Sequence, residues 1–204
     1  MLSNIFDKKL RFTKNDGTSY PDWKSVRFGD VISEYNERTQ KENEDVLLSA
    51  AIEGMFFNTE LFGHQRGSSN IGYKKISKGT LVLSTQNLHL GNANVNLRFE
   101  HGIVSPAYKT YHIHGCSKEL MYYWIKRDEA KPFFFNATTV GASACRRNVE
   151  WETLYNQVIE IPTAGEESKI VDFFTYVDTL CICHETTLSK LIALKKTLLQ
   201  QMFI

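Results

Sequence analysis

Long apolar runs are missing from this 204-residue chain, and nothing in it approaches the ~18 apolar residues that suggest a membrane-spanning helix. Cysteine is sparse: Cys116, Cys145, Cys181 and Cys183 show no framework spacing, so a disulfide-stapled secreted fold is not expected. The N-terminal MLSNIFDKKLRF places Lys8, Lys9 and Arg11 just after a short apolar stretch, with no h-region and no small-residue cleavage site. It does not read as a signal peptide, and the expected location is the cytoplasm. Neither sign of charge dominates, since 24 Lys+Arg face 23 Asp+Glu for a net charge of +1. A histone-like polycation is excluded. Catalytic signatures are missing as well: there is no P-loop, no G-x-S-x-G, no H-E-x-x-H and no Asn-Pro-Pro-Tyr methyltransferase loop. The chain is therefore expected to be no enzyme and to need no cofactor.

What is present is enough for a folded core, with 42% hydrophobic and 12% aromatic residues. The length suits one domain, or one domain with an extension. Charge is distributed unevenly: residues 1–29 carry +3, 30–63 carry −6, 64–150 carry +7 and 151–204 carry −3. The +7 middle allows a phosphate-facing surface, although basic residues coating a solvated face account for it equally well.

Two patterns divide the chain at Pro162. Before it, short apolar runs at Val46–Ala51 and Thr80–Ser84 read as strands, with Lys78-Gly79 and His101-Gly102 as turns between them. Ala107–Ile113 is rich in β-branched and aromatic residues and predicts another strand. Lys118–Ala130 predicts one helix, closed by Pro132, with Leu120, Tyr123 and Trp124 facing inward. After Pro162, Thr163 and Glu166 have the form of a capping box. From there to Phe203 neither Gly nor Pro occurs.

Along this stretch Phe174, Val177, Cys181, His184, Leu188, Leu191, Lys195, Leu198 and Met202 fall at alternating spacings of three and four. That is a heptad seam on a rod of ~55 Å, with Cys181, His184 and Lys195 its weak positions. A domain of this size cannot cover such a rod, so a partner is expected. Acidic Glu166, Glu167, Asp172, Asp178 and Glu185 precede basic Lys190, Lys195 and Lys196. This order complements the helix dipole and favours an antiparallel partner. The fold class expected is α+β: a mixed globular domain over 1–162, then a long coiled-coil-forming helix over 163–204.

Metal sites have little support. Cys181 and Cys183 point apart on a helix, while His112 and His114 share a strand face without a Cys or carboxylate partner nearby. The basic middle holds chemistry suited to DNA. Arg66, Tyr73, Lys74 and Lys75 surround GSSNIGYKK, with Lys78 close behind. Gln86, Asn87, His89, Asn92 and Asn94 gather between two strands, and Thr138–Asn148 reads as a polar, flexible loop holding Ser143, Arg146 and Arg147. Lysine and arginine neutralise phosphates, and Asn, Gln and Arg offer the paired donors and acceptors that read base edges. On this reading Lys74, Lys75 and Lys78 hold phosphates. Arg146 and Arg147 enter or flank a groove, and Gln86, Asn87, His89 and Asn92 read bases.

Four stretches carry a family likeness: KKLRF…W…FGDV (Lys8 to Val31), GYKKISKGTLVLS (Gly72 to Ser84), GIVSPAY (Gly102 to Tyr108) and EESKIVDFFTYVDTLCICHETTLSKLIALKKTLLQQMF (Glu166 to Phe203). In this order they resemble about one half of the specificity subunit of type I restriction-modification systems. The last is the most specific, and together they span nearly the whole chain. The resemblance implies a target recognition domain followed by a conserved spacer helix. The full-length subunit carries two such units, reads a split DNA sequence, and docks methyltransferase and restriction subunits that do the chemistry. This chain departs by holding one domain and one helix.

The expected function is DNA recognition directing those partners to a bipartite target on double-stranded DNA. A homodimer would form through the helix at Phe174, Val177, Cys181, Leu188, Leu191, Leu198 and Met202, with no membrane involved. The alternative is a half-length scaffold or regulatory subunit that assembles through its helix without productive DNA recognition.

Overall fold

A computed structural model describes residues 2–63, 69–143 and 146–202, with side chains throughout except at 142, 143 and 146. Arg66, Cys145 and Phe203 lie outside the described residues. The chain opens with α1 (Leu2–Phe6), β1 (Lys24–Arg27), β2 (Ile32–Tyr35), β3 (Leu48–Ala50), β4 (Met55–Phe57) and α2 (Asn58–Phe62). Its middle runs through β5 (Lys74–Ser77), β6 (Leu81–Ser84), β7 (Ala93–Val95), β8 (His101–Val104) and β9 (Tyr108–Ile113). Then come α3 (Lys118–Lys126), α4 (Ala130–Asn136), β10 (Thr138–Ser143), β11 (Arg146–Val149), α5 (Trp151–Asn156), β12 (Val158–Ile161) and α6 (Ala164–Met202). The fold is mixed α and β, with one long C-terminal helix following a globular unit.

The main sheet has the order β2-β9-β6-β7, antiparallel throughout. Its β6, LVLS, is buried at every position. Successive side chains on a strand point to opposite faces. Leu81 and Leu83 accordingly enter the larger core with Phe28, Trp124, Phe134 and Ile170, while Val82 enters a smaller one with Leu48, Met55, Ile76 and Val104. The unbroken apolar run at 81–83 is the mark of a strand covered on both sides.

Several local expectations need correction. His101-Gly102 is no turn but the start of β8. A Cβ on Gly102 would meet Leu48 Cγ at 2.9 Å and the Val46 carbonyl oxygen at 3.1 Å. The glycine marks a close approach of two chain segments rather than a reversal. The helix beginning at Lys118, capped by Ser117 Oγ accepting from Leu120 N at 3.1 Å, stops at Lys126. Pro132 lies inside the first turn of α4, where its missing N–H has no intrahelical partner to lose. Leu120, Tyr123 and Trp124 do face inward. The expected loop instead holds two strands, β10 (Thr138–Ser143) against β11 (Arg146–Val149), with a register shift between Val140 and Ser143.

The capping box at the start of α6 does not form. Glu166, with no exposed surface, accepts hydrogen bonds from Arg11 Nε at 3.1 Å, Arg11 Nη2 at 2.7 Å and Trp23 Nε1 at 2.8 Å. Among the described residues Thr163 Oγ1 is left buried without a partner. A carboxylate held by a guanidinium and an indole N–H has stronger partners than one backbone amide. Phe174, expected in the seam, is also buried within the chain, its ring 6.5 Å from Phe6 and 4.9 Å from Tyr123. It closes the foot of the helix and is not available to a second chain. From Asp178 to Met202 every residue is exposed.

Candidate nucleic-acid interface

The expected phosphate-binding lysines are engaged within the chain. Lys74 is 5% exposed, and burial lowers the pKa of its amine, with Arg38 and Lys109 adding repulsion against the pull of Glu34. Lys75 pairs with Glu44 at 2.8 Å and with Glu37 at 3.5 Å. The same lysine, with the backbone amides of Lys41 and Gln40, holds the Glu44 carboxylate down to about 2. Lys78 pairs with Glu100 at 2.6 Å. Tyr73 is half-buried, its backbone N–H donating to Thr39 Oγ1 at 3.0 Å. Elsewhere in the +7 segment Arg98 pairs with Glu60 at 2.7 Å, and Lys109 with Glu34 at 2.7 Å. Carboxylates from the acidic 30–63 stretch thus answer Lys75, Arg98 and Lys109, three of the segment's twelve basic side chains.

The amides between β6 and β7 separate into two sets. Asn92 Nδ2 donates to the Ala50 carbonyl at 3.1 Å, and Asn94 Nδ2 donates to the Ala51 carbonyl at 2.7 Å and to Asn92 Oδ1 at 3.2 Å. Lys126 Nζ closes the group by donating to Asn94 Oδ1 at 3.0 Å and to the Ile52 carbonyl at 2.8 Å. Asn92 thus ties the β3–β4 connection to the main sheet and is removed from base reading by its burial at 6% exposure. Gln86 and Asn87 are exposed, and His89 is half-buried on the 3-10 turn Leu88–Leu90.

This turn is held firmly. Leu88 is fully buried in the larger core, Asn87 N donates to Ser84 Oγ at 3.1 Å, and Thr85 Oγ1 donates to the Ala107 carbonyl at 2.9 Å. Gly91 closes it at φ +90°, a conformation glycine adopts without steric cost. The turn packs against α4 and lies beside β11. The turn that follows Gln86 and Asn87 is thereby brought beside the arginine ribbon, whereas Lys75 lies on β5, paired with β8, and Lys78 just beyond the end of β5.

Within the ribbon, Arg147 Nε donates to Thr138 Oγ1 at 2.7 Å and Nη2 to the Thr138 carbonyl at 2.7 Å. Its guanidinium lies 4.1 Å from the centroid of Phe135. It braces the base of the ribbon against α4. Ser143 and Arg146 form the register pair next to the ribbon's tip, and their side chains lie outside the description. Asn148, paired across the ribbon with Thr139, is exposed. The sequence reading did not single it out. Strand alternation around the inward Val149 would have, once the stretch is known to be a strand.

Among the described residues no group of three His, Cys, Asp or Glu is placed to hold a metal ion, and no helix is long and apolar enough to cross a membrane. His114 Nε2 lies 2.6 Å from Ser33 Oγ, and His112 stacks on Tyr35 at 4.2 Å.

No family model matches the chain, and no curated protein matches it. Solved structures do. A chain from a structure described as "Structural basis underlying complex assembly and conformational transition of the type I R-M system" superimposes with a TM-score of 0.52 at 13% identity, covering 89% of this chain and 45% of its own. The HsdS subunit from Thermoanaerobacter tengcongensis gives 0.52 at 15% identity, covering 89% and 42%. The type I restriction-modification S subunit from M. genitalium gives 0.51 at 13%, covering 84% and 41%. At such identities the likeness is one of fold: this chain shares its architecture with under half the length of each of these type I restriction-modification chains.

Proposed function

We propose that this chain is a non-catalytic DNA-recognition subunit of a type I restriction-modification assembly. Its globular unit reads one half of a bipartite target on double-stranded DNA, and α6 joins it to methyltransferase and restriction subunits. The observation that carries the reading is the match of one globular unit plus one long helix to under half of two specificity subunits, over 84–89% of this chain. A second support is the free length of α6. Leu188, Leu191, Leu198 and Met202 are 50–75% exposed, and such a surface calls for a partner. The simplest partner for that surface is the same helix of another copy, antiparallel because the helix runs from acidic to basic.

The test is methylation mapping in cells carrying this gene with a methyltransferase subunit gene. A split, symmetric methylated motif that vanishes when this gene is deleted supports the reading. Methylation unchanged by the deletion overturns it. The scaffold reading is favoured by one observation, the internal pairing of Lys75, Lys78, Arg98 and Lys109. It predicts a complex with the methyltransferase subunit whose DNA affinity equals that of the methyltransferase subunit alone.

A further inference from the structure

We infer that the base-reading surface is an amide shelf made of Gln86, Asn87 and Asn148, and that adenine edges in the major groove are what it takes. The inference rests on the DNA-recognition reading and identifies where in the globular unit that recognition takes place. Three observations lead to it. First, the side chains of Gln86, Asn87 and Asn148 are exposed and make no hydrogen bond among the described residues, whereas Asn92, Asn94 and Asn96 of the same stretch are buried and bonded. Their donors and acceptors are open to a ligand.

Second, the supports are rigid. The Gln86–Asn87 turn is locked by the buried Leu88 and by the bonds from Asn87 N and Thr85 Oγ1. The strand carrying Asn148 is locked by Arg147, clamped on Thr138 and stacked on Phe135. Amides on fixed supports lose little freedom on binding, the condition under which a pair of hydrogen bonds discriminates. Third, the turn Leu88–Leu90, which follows directly on Gln86 and Asn87, lies beside β11, the strand that carries Asn148, so the three amides sit on neighbouring segments. A two-stranded ribbon is an element the major groove admits, and an Asn or Gln amide pairs with N6 and N7 of adenine in a single plane. Lys74 is buried and Lys75 and Lys78 are paired with carboxylates, whereas the amides of Gln86, Asn87 and Asn148 stay open to solvent.

The experiment uses the full chain, bound to a methyltransferase subunit, and a library of random DNA duplexes from which bound molecules are sequenced. Wild type is expected to enrich a motif with adenine in each half. Gln86→Ala and Asn148→Ala are each expected to lose the preference at one adenine position by roughly tenfold or more, while retaining binding to unselected DNA. Replacing that adenine by 7-deazaadenine, which lacks N7, is expected to weaken wild type by a similar factor and leave the matching variant unmoved. A motif enriched identically by wild type and by the Gln86→Ala, Asn87→Ala and Asn148→Ala variants overturns the inference and leaves the DNA-recognition reading standing. A wild-type complex that enriches no sequence overturns both. All three side chains are exposed, and unchanged thermal melting of the variants shows that altered selection is not unfolding.

Discussion

The foot of α6 and its free length are one continuous helix, yet they live in different environments. Over Ala164–Phe174 the helix buries Glu166, Ile170 and Phe174, and Tyr123 Oη ties the next turn by donating to Asp178 Oδ2 at 2.8 Å. From Asp178 to Met202 every residue is exposed. The foot is helical because a core holds it. The free length depends on propensity and on a partner, since most helical stability in proteins comes from packing of one face. The foot also joins the first and last landmarks of the sequence, through Arg11 and Trp23 on Glu166, and β1 pairs with β12 just before it. The boundary drawn at Pro162 therefore separates two sequence patterns, while the core runs on to Phe174.

The sharpest test of this difference is at Glu166. Glu166→Ala leaves the Arg11 guanidinium and the Trp23 N–H without their acceptor, and should cost about 3 kcal/mol in urea unfolding. The low end of the range applies because the Arg11 side chain is 24% exposed and keeps Asp22. Phe174→Ala should cost a similar ~3 kcal/mol through its cavity, while Leu191→Ala should stay under about 0.5 kcal/mol in monomeric protein. Equal losses at Phe174 and Leu191 would erase the distinction between foot and free length.

Next in size is assembly. The double variant Leu188→Glu, Leu191→Glu should remain folded by circular dichroism yet show half the wild-type mass in light scattering, because charge at the seam opposes burial. A wild type already at 23.5 kDa at tens of micromolar sinks the homodimer. Cysteine reactivity then separates the regions chemically. Burial pushes the Cys116 thiol up to about 12, with Glu167 adding to it. Iodoacetamide at pH 8 should alkylate the exposed Cys181 and Cys183 at least roughly a hundredfold faster than Cys116, read by peptide mass mapping. In the dimer Cys181, on the seam, should slow relative to Cys183, which points away from it.

The smallest effect lies far from the helix. Lys75 and the backbone amides of Lys41 and Gln40 depress Glu44, so this contact supports the fold above the ordinary carboxylate range and is lost as pH falls from 4.5 toward 2. A carboxyl NMR titration should place its midpoint near 2. A midpoint at the ordinary 4.5 would show the contact absent in solution.

The candidate site was only partly legible in the sequence. The cluster of amides between β6 and β7 could be read from composition, but which of them stay open to solvent could not. Asn92 and Asn87 have the same side chain. One fills a hydrogen-bonded interior site and the other faces solvent, and only the position of Ala50 on a distant segment makes the difference. The paired arginines looked like part of a flexible loop because small residues are frequent just before them, although cross-strand pairing joins Thr138–Ser143 to Arg146–Val149. The +7 count was accurate, and its meaning changed once carboxylates from 30–63 were found on Lys75 and Arg98.

By itself the sequence determined the two-part architecture: apolar residues at spacings of three and four without Gly or Pro specify a helix too long to bury, and short β-rich runs specify strands. These are local signals, set by periodicity and backbone propensity. Only the tertiary structure decided which groups remain available. Glu166 was a helix cap by sequence and is an internal ion-pair partner in the fold. Phe174 was a dimer contact by spacing and is core in the fold. Burial and pairing are settled by residues more than a hundred positions apart, such as Arg11 and Glu166, and no local pattern encodes who meets whom.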